Sequence, residues 1–301
     1  MADGRGEAAR ARRAVAFTLL AAVVGCSRES ARRPAPSDVF VVSATSGGTS
    51  ERVARIDRAI AFWTDRAHRD PFDWTAGTRA ADAWIERARL TGDWRAYEAA
   101  EAALRRSLAV HPDDNAGALG RLARVLVARH RFADAAVAIE HALATAPPGR
   151  DGAWLHGVRG DVAFARGDFD AAARDYARFE AVTPGPAAWT RLANVAQTRG
   201  DLAGAEKFLR AALDATRERS PESAAWTGVQ LAEVLRLSGR PEASERELAE
   251  AIRALPEYGP AWLHLADLHE AQGDRPRARR AVERARVHAV DPVARLQIAR
   301  A

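Results

Sequence analysis

The chain of 301 residues holds one cysteine, one methionine and one lysine, Lys207. A single cysteine leaves no partner for an intramolecular disulfide and no cluster of thiolates for a metal. Aromatic residues make up 7% of the chain, so large apolar plugs are scarce. Much of the 48% hydrophobic content is alanine, the best helix former, which buries little area per residue. Such a composition predicts a core made by close helix–helix approach. Lysine is absent but for one residue and tyrosine is rare, so a small arginine excess carries the pI to about 10.2 although the formal net charge is only +5. Residues 1–25 contain four arginines and two acids, and without them the charge is still closer to balance. The signs interleave as on solvated helix faces, and no basic stripe with stacking aromatics is present, so a nucleic-acid partner is not expected.

Catalytic signatures are missing as well. The chain has no His-Glu-x2-His, no Gly-x4-Gly-Lys-Ser/Thr and no Gly-x-Ser-x-Gly. His264 and His269 are five residues apart, which does not set them on one helix face. The expectation is no enzyme, no metal, no cofactor and no small-molecule substrate.

One long apolar run exists, Ala14 to Gly25, after the basic Arg-Ala-Arg-Arg of residues 10–13. It is shorter than the ~20 residues that span a bilayer. A basic flank with a short apolar stretch reads as a secretory signal peptide over residues 1–25. Its end, Val23-Val24-Gly25-Cys26, resembles the bacterial lipobox. That resemblance implies a diacylglyceryl thioether on Cys26 and acylation of the new amine; two or more acyl chains anchor stably. It places the chain in the cell envelope, lipid-anchored, and Ser27 after the cysteine favours the periplasmic face of the outer membrane in a Gram-negative host. Residues 26–50 are polar and rich in Ser, Pro, Gly and Arg, and read as a flexible tether.

The rest is periodic. Prolines at 112, 147, 184, 221, 256 and 292 are spaced by 35, 37, 37, 35 and 36 residues, the mark of stacked supersecondary units. Between them stand Gly167-Asp168, Gly200-Asp201, Gly239 and Gly273-Asp274. Glycine ends one helix and aspartate caps the next, so the unit is helix, turn, helix, loop. Small residues recur in the first helix (Ala123, Gly160, Ala193, Ala232, Ala266) and in the second (Ala135, Ala172, Ala205, Ala278). An earlier unit with Trp84, Gly92-Asp93, Leu104 and Pro112 has its turn about one helical turn late. Residues 51–70 read as an N-terminal capping helix with Ile56, Ala59, Ile60 and Trp63 on one face, and residues 291–301 as a C-terminal capping segment. His156 and Arg159 depart from the pattern, which shifts the packing face of that helix to Leu155, Val158 and Val162.

Over residues 71–290 these positions resemble about six tetratricopeptide repeats (TPRs). The resemblance implies an all-α, right-handed superhelical solenoid of stacked helix-turn-helix units. It implies a protein or peptide partner in a concave groove lined by the first helices. Carried over position by position, the candidates are Asp82, Arg124, Trp154, Asp161, Phe164, Asn194, Gln197, Trp226, Glu233, Arg236, Asp267 and Glu270. The lysines of a carboxylate clamp are lacking and Asn194 alone fits it. The function implied is a membrane-tethered scaffold; an accessory subunit of an envelope assembly or secretion machine, working through the convex face, is the alternative.

Overall fold

A computed structural model describes residues 49–147 and 149–288. The expected signal peptide, Cys26, the expected tether up to residue 48 and the expected capping segment 291–301 lie outside the described residues. Within them the chain forms thirteen α-helices and no strand. A single helix α1 (Thr49–Arg69) precedes six pairs: α2 (Trp74–Thr91) with α3 (Arg95–Val110), α4 (Ala116–Ala128) with α5 (Phe132–Thr145), and α6 (Arg150–Ala165) with α7 (Phe169–Val182). Then come α8 (Pro186–Thr198) with α9 (Leu202–Thr216), α10 (Pro221–Leu237) with α11 (Pro241–Ala254), and α12 (Gly259–Ala271) with α13 (Arg275–His288). Each helix packs most extensively on its pair partner and next on the following helix in the chain, which is the stacking of a solenoid.

The turns follow from local chemistry. Gly167 takes φ 84°, which costs a glycine nothing, and Asp168 then caps α7 by accepting the Ala171 N–H at 2.9 Å. Asp201 caps α9 the same way, from Gly204 N–H at 2.8 Å, and Asp274 caps α13 from Arg277 N–H at 3.0 Å. Between α4 and α5 the left-handed residue is His130, at φ 58°, so one unit turns without glycine. Pro221 does not end a helix. α9 has already stopped at Thr216, and Pro221 opens α10 at its first position behind the Ser220 cap. The late turn of the first unit is real length: α2 has 18 residues, whereas α4, α8 and α12 have 13 each.

Ala123, Ala135, Ala172 and Ala205 are fully buried at the helix crossings, with Leu126, Ile139, Leu155, Leu209 and Leu231 beside them at 1% exposure or less. Each such large side chain stabilises the stack by about 1.5–3 kcal/mol. In α6, Leu155, Val158 and Val162 pack into the cluster of α4 and α5, as the shifted face predicts, while Ala153 and Phe164 bury themselves in other clusters. The same helix has no side chain at Gly157 and Gly160 because α7 comes too close: a Cβ on Gly160 would stand 2.4 Å from the Tyr176 ring, and one on Gly157 2.9 Å from Phe179. At the N-terminal end Ile56 and Ile60 of α1 bury themselves against Ala83 of α2.

Gly160→Val forces Tyr176 out of its seat. Overpacking of this kind costs about 1–3 kcal/mol, so the variant unfolds at lower urea concentration than the parent, read by loss of helical circular dichroism.

Candidate functional site

The first helices of successive pairs also touch one another: α4 meets α6, α6 meets α8, and α10 meets α12. Among the second helices no such contact of comparable extent occurs. The layer whose next neighbours touch lies at the smaller radius, so the first helices line the concave side.

Polar side chains cross this inner layer between repeats. Arg121 of α4 donates to Asp82 of α2 at 2.7 Å, and its guanidinium lies 5.8 Å from the ring centroid of Trp154 of α6. Asp161 of α6 accepts from Arg191 of α8 at 2.8 and 2.7 Å and from the Tyr176 hydroxyl at 3.0 Å. Both charged side chains of that pair are under 5% exposed. Breaking a buried pair by removing one partner costs about 3–5 kcal/mol, because the other charge is left desolvated. On α10, Arg236 donates to both oxygens of Glu233 at 2.8 and 2.7 Å.

The candidates therefore separate into three groups. Asp161 and Phe164 are buried at 2% and 3% exposure, and offer no surface to a partner; Phe164 meets Phe169 edge to face at 4.9 Å. Arg124 is also buried, and Trp154 is half-buried, wedged over Gly120 where a Cβ would stand 2.5 Å from the indole. Trp226 is half-buried, and its indole N–H is buried without an acceptor among the described residues. The remaining candidates reach solvent. Asn194 and Gln197 lie three residues apart on α8, half-buried, with no side-chain hydrogen bond among the described residues. Glu233 and Arg236 stand on α10, opposite Asp267 and Glu270 of α12, and the structure brings these four together with His264.

Asp267 reports on that cluster. Its side chain reaches water, yet on the inner face surrounding protein desolvates it and raises its pKa above the ordinary aspartate value. Glu233 and Glu270 raise it further, while His264 and Arg236 oppose them. On the outer side Glu101 shows the reverse balance. Burial pushes its carboxyl up, but hydrogen bonds from Arg105 and Arg129 and the charge of Arg131 outweigh that and hold it below the usual range.

Sequence reasoning missed the pairing residues: Arg121, Arg191, Arg129, Arg131 and Arg199. Their partners lie 28 to 39 positions earlier. An arginine about one repeat after an acid was the available signal. Nothing in the sequence signals a second feature. Arg52 of α1 pairs with Glu222 of α10, and Arg89 at the end of α2 lies 3.9 Å from the same carboxylate. Burial raises the phenol of Tyr258, just before α12; Glu222 raises it further and Arg89 opposes them. The first repeat thus touches the start of the fifth and sixth.

An open groove of about 780 Å³ lies elsewhere, between α1, α2 and α3, lined by Ile60, Ala61, Trp84 and the charged trio Asp57, Arg87 and Asp93. Those charges already pair with one another. Among the described residues no group of three or more His, Cys, Asp or Glu could hold a metal ion, and no helix is long and apolar enough to cross a membrane.

A raised carboxyl keeps its proton to higher pH in the folded state than in the unfolded one. Stability is therefore lost as pH rises from the ordinary aspartate range through the raised value, and stays lost above it. Asp267→Asn removes that loss. Its thermal midpoint exceeds the parent's at neutral pH, and the gain disappears below the ordinary aspartate range.

Residues 186–257 match one sequence model described as tetratricopeptide repeat, and residues 229–292 match a second of the same description. No curated protein matches the chain. Among solved structures, the crystal structure of the APC/C hetero-tetramer Cut9–Hcn1 is similar at 14% identity and TM-score 0.62, over 84% of this chain and 46% of that one. This chain thus spans under half of that first match. A tetratricopeptide repeat protein from Parabacteroides merdae is similar at 12% identity and TM-score 0.59, over 84% of this chain and 98% of that one. PilW, a type IV pilus biogenesis factor, is similar at 15% identity and TM-score 0.55, over 71% and 92%. Residues 186–292 carry tetratricopeptide repeats, and the described chain as a whole has the fold of a tetratricopeptide-repeat solenoid.

Proposed function

We propose that the chain is a scaffold for protein–protein interaction, tethered to a membrane of the cell envelope through Cys26 and holding an extended segment of a partner on its concave side. The observation that carries the reading is the pair of free amides at Asn194 and Gln197. Each offers two N–H donors and a carbonyl acceptor that no described residue uses. They stand three residues apart on one helix face near the middle of the inner layer, at a spacing suited to the peptide groups of an extended segment. The anchor reading rests on the basic flank, the apolar run and the Val-Val-Gly-Cys sequence that ends at Cys26.

Asn194→Ala with Gln197→Ala removes the amides and no core atom. Photo-crosslinking from the inner face in the native cell captures the partner with the parent chain, and capture falls about five- to thirty-fold in the double variant, the loss of one or two hydrogen bonds of ~1 kcal/mol each. Unchanged capture defeats the groove reading and favours the convex face. For the anchor, Cys26→Ser abolishes incorporation of labelled palmitate and leaves the unprocessed precursor on a gel. Label that persists removes Cys26 from the account.

A further inference from the structure

Arginines on this solenoid are mostly spoken for. Arg66, Arg87, Arg121, Arg129, Arg159, Arg191, Arg210 and Arg240 each meet a carboxylate, while Arg58, Arg174 and Arg246 have no ion pair among the described residues. The last helix breaks this pattern. α13 holds Arg275, Arg277, Arg279, Arg280, Arg284 and Arg286 against one acid, Glu283, and all are exposed. Only Arg277 has ion pairs, with Asp274 at 3.2 Å and Glu245 at 3.8 Å; the other five have none among the described residues. Helical spacing sets Arg275, Arg279 and Arg286 along one flank and Arg277, Arg280 and Arg284 along the other. Val287, 70% exposed, lies between them, while Ala281 and Ala285 face inward.

We infer that the outer face of α13 docks on anionic phospholipid headgroups. Guanidinium groups bind phosphate in bidentate fashion and keep their charge at every physiological pH. A second copy stacked head to tail would bring this face against α1, whose exposed Asp57 and Asp65 are already paired with Arg87 and Arg69, so few carboxylates remain there to receive it. α13 has no Phe, Tyr or Trp on which a base could stack, which disfavours a single-stranded nucleic acid. The inference rests on the anchor reading for its geometry. The chain from Cys26 to Thr49 is about 23 residues and reaches at most roughly 80 Å. The contacts of Arg52 and Arg89 with Glu222, and the place of Tyr258 beside them, hold the last repeats next to the helix that follows that stretch. Lipid at Cys26 and arginines at α13 can then meet one surface, the two-signal arrangement that makes attachment stable.

The test uses the chain from Ser27 onward, which lacks both Cys26 with its acyl chains and the apolar run of residues 14–25. It is mixed with vesicles of phosphatidylglycerol and phosphatidylcholine in equal parts, or of phosphatidylcholine alone, and sedimented. The chain is expected to sediment with the anionic vesicles only, and salt releases it. An arginine near an anionic surface strengthens partition roughly five-fold. Arg279→Glu/Arg280→Glu/Arg284→Glu therefore loses more than about ten-fold in vesicle affinity. The matching triple lysine variant retains binding, and Arg174→Glu/Arg246→Glu on other helices changes it little. Helical circular dichroism confirms that each variant is folded. No sedimentation, equal sedimentation with both vesicles, or loss equal in the Arg174/Arg246 variant overturns the inference. Tighter binding to a DNA duplex than to anionic vesicles overturns it in favour of nucleic acid. Palmitate labelling of the parent chain is a separate readout, so failure of the anchor and failure of α13 are told apart.

Discussion

Everything in this solenoid depends on how near two helices can come. Alanine at Ala123, Ala135, Ala172 and Ala205, and glycine at Gly157 and Gly160, let backbones approach until a large neighbour such as Tyr176 or Phe179 fills the remaining space. Dispersion contacts fall off steeply with distance, so this closeness replaces the bulk that a chain poor in aromatics lacks. It also fixes the angle between repeats, and thereby which side chains of α4, α6, α8, α10 and α12 reach the inner face.

Charge finishes what packing begins. The bridges from Arg121 to Asp82 and from Arg191 to Asp161 join a first helix to the one before it, and Arg129 and Arg131 join the second repeat to Glu101 of the first. Such pairs recur at joints between successive units and tie neighbours in register. The Asp161–Arg191 pair is dry, so it tolerates little displacement. Exposed pairs such as Arg210 with Glu206 add less, since water and salt compete for them.

The fold was legible because its signals are local and repeat. Proline spacing, glycine–aspartate turns and small residues at fixed offsets each depend on a few neighbouring residues, and six copies reinforce one another. The site was legible only in part. Sequence placed Asn194, Gln197, Asp267 and Glu270 on faces that reach solvent, but it could not tell these from Asp161 and Phe164, which share the same register and lie buried. Whether a first-helix position faces the groove or the neighbouring repeat depends on the roll of each helix. In α6 that roll follows Leu155, Val158 and Val162, and it turns Asp161 into the interface with α8. Contacts from α1 to α10 were beyond any local pattern, because they arise from curvature summed over four repeats.

Those last contacts change the mechanics of the molecule. An open row of repeats flexes at each joint independently. Here Glu222 holds Arg52 and lies near Arg89, so the joints from the first repeat to the fifth form a loop of linked hinges. In such a loop no hinge turns alone: spreading one joint must compress another or break the tie at Glu222, at the start of α10.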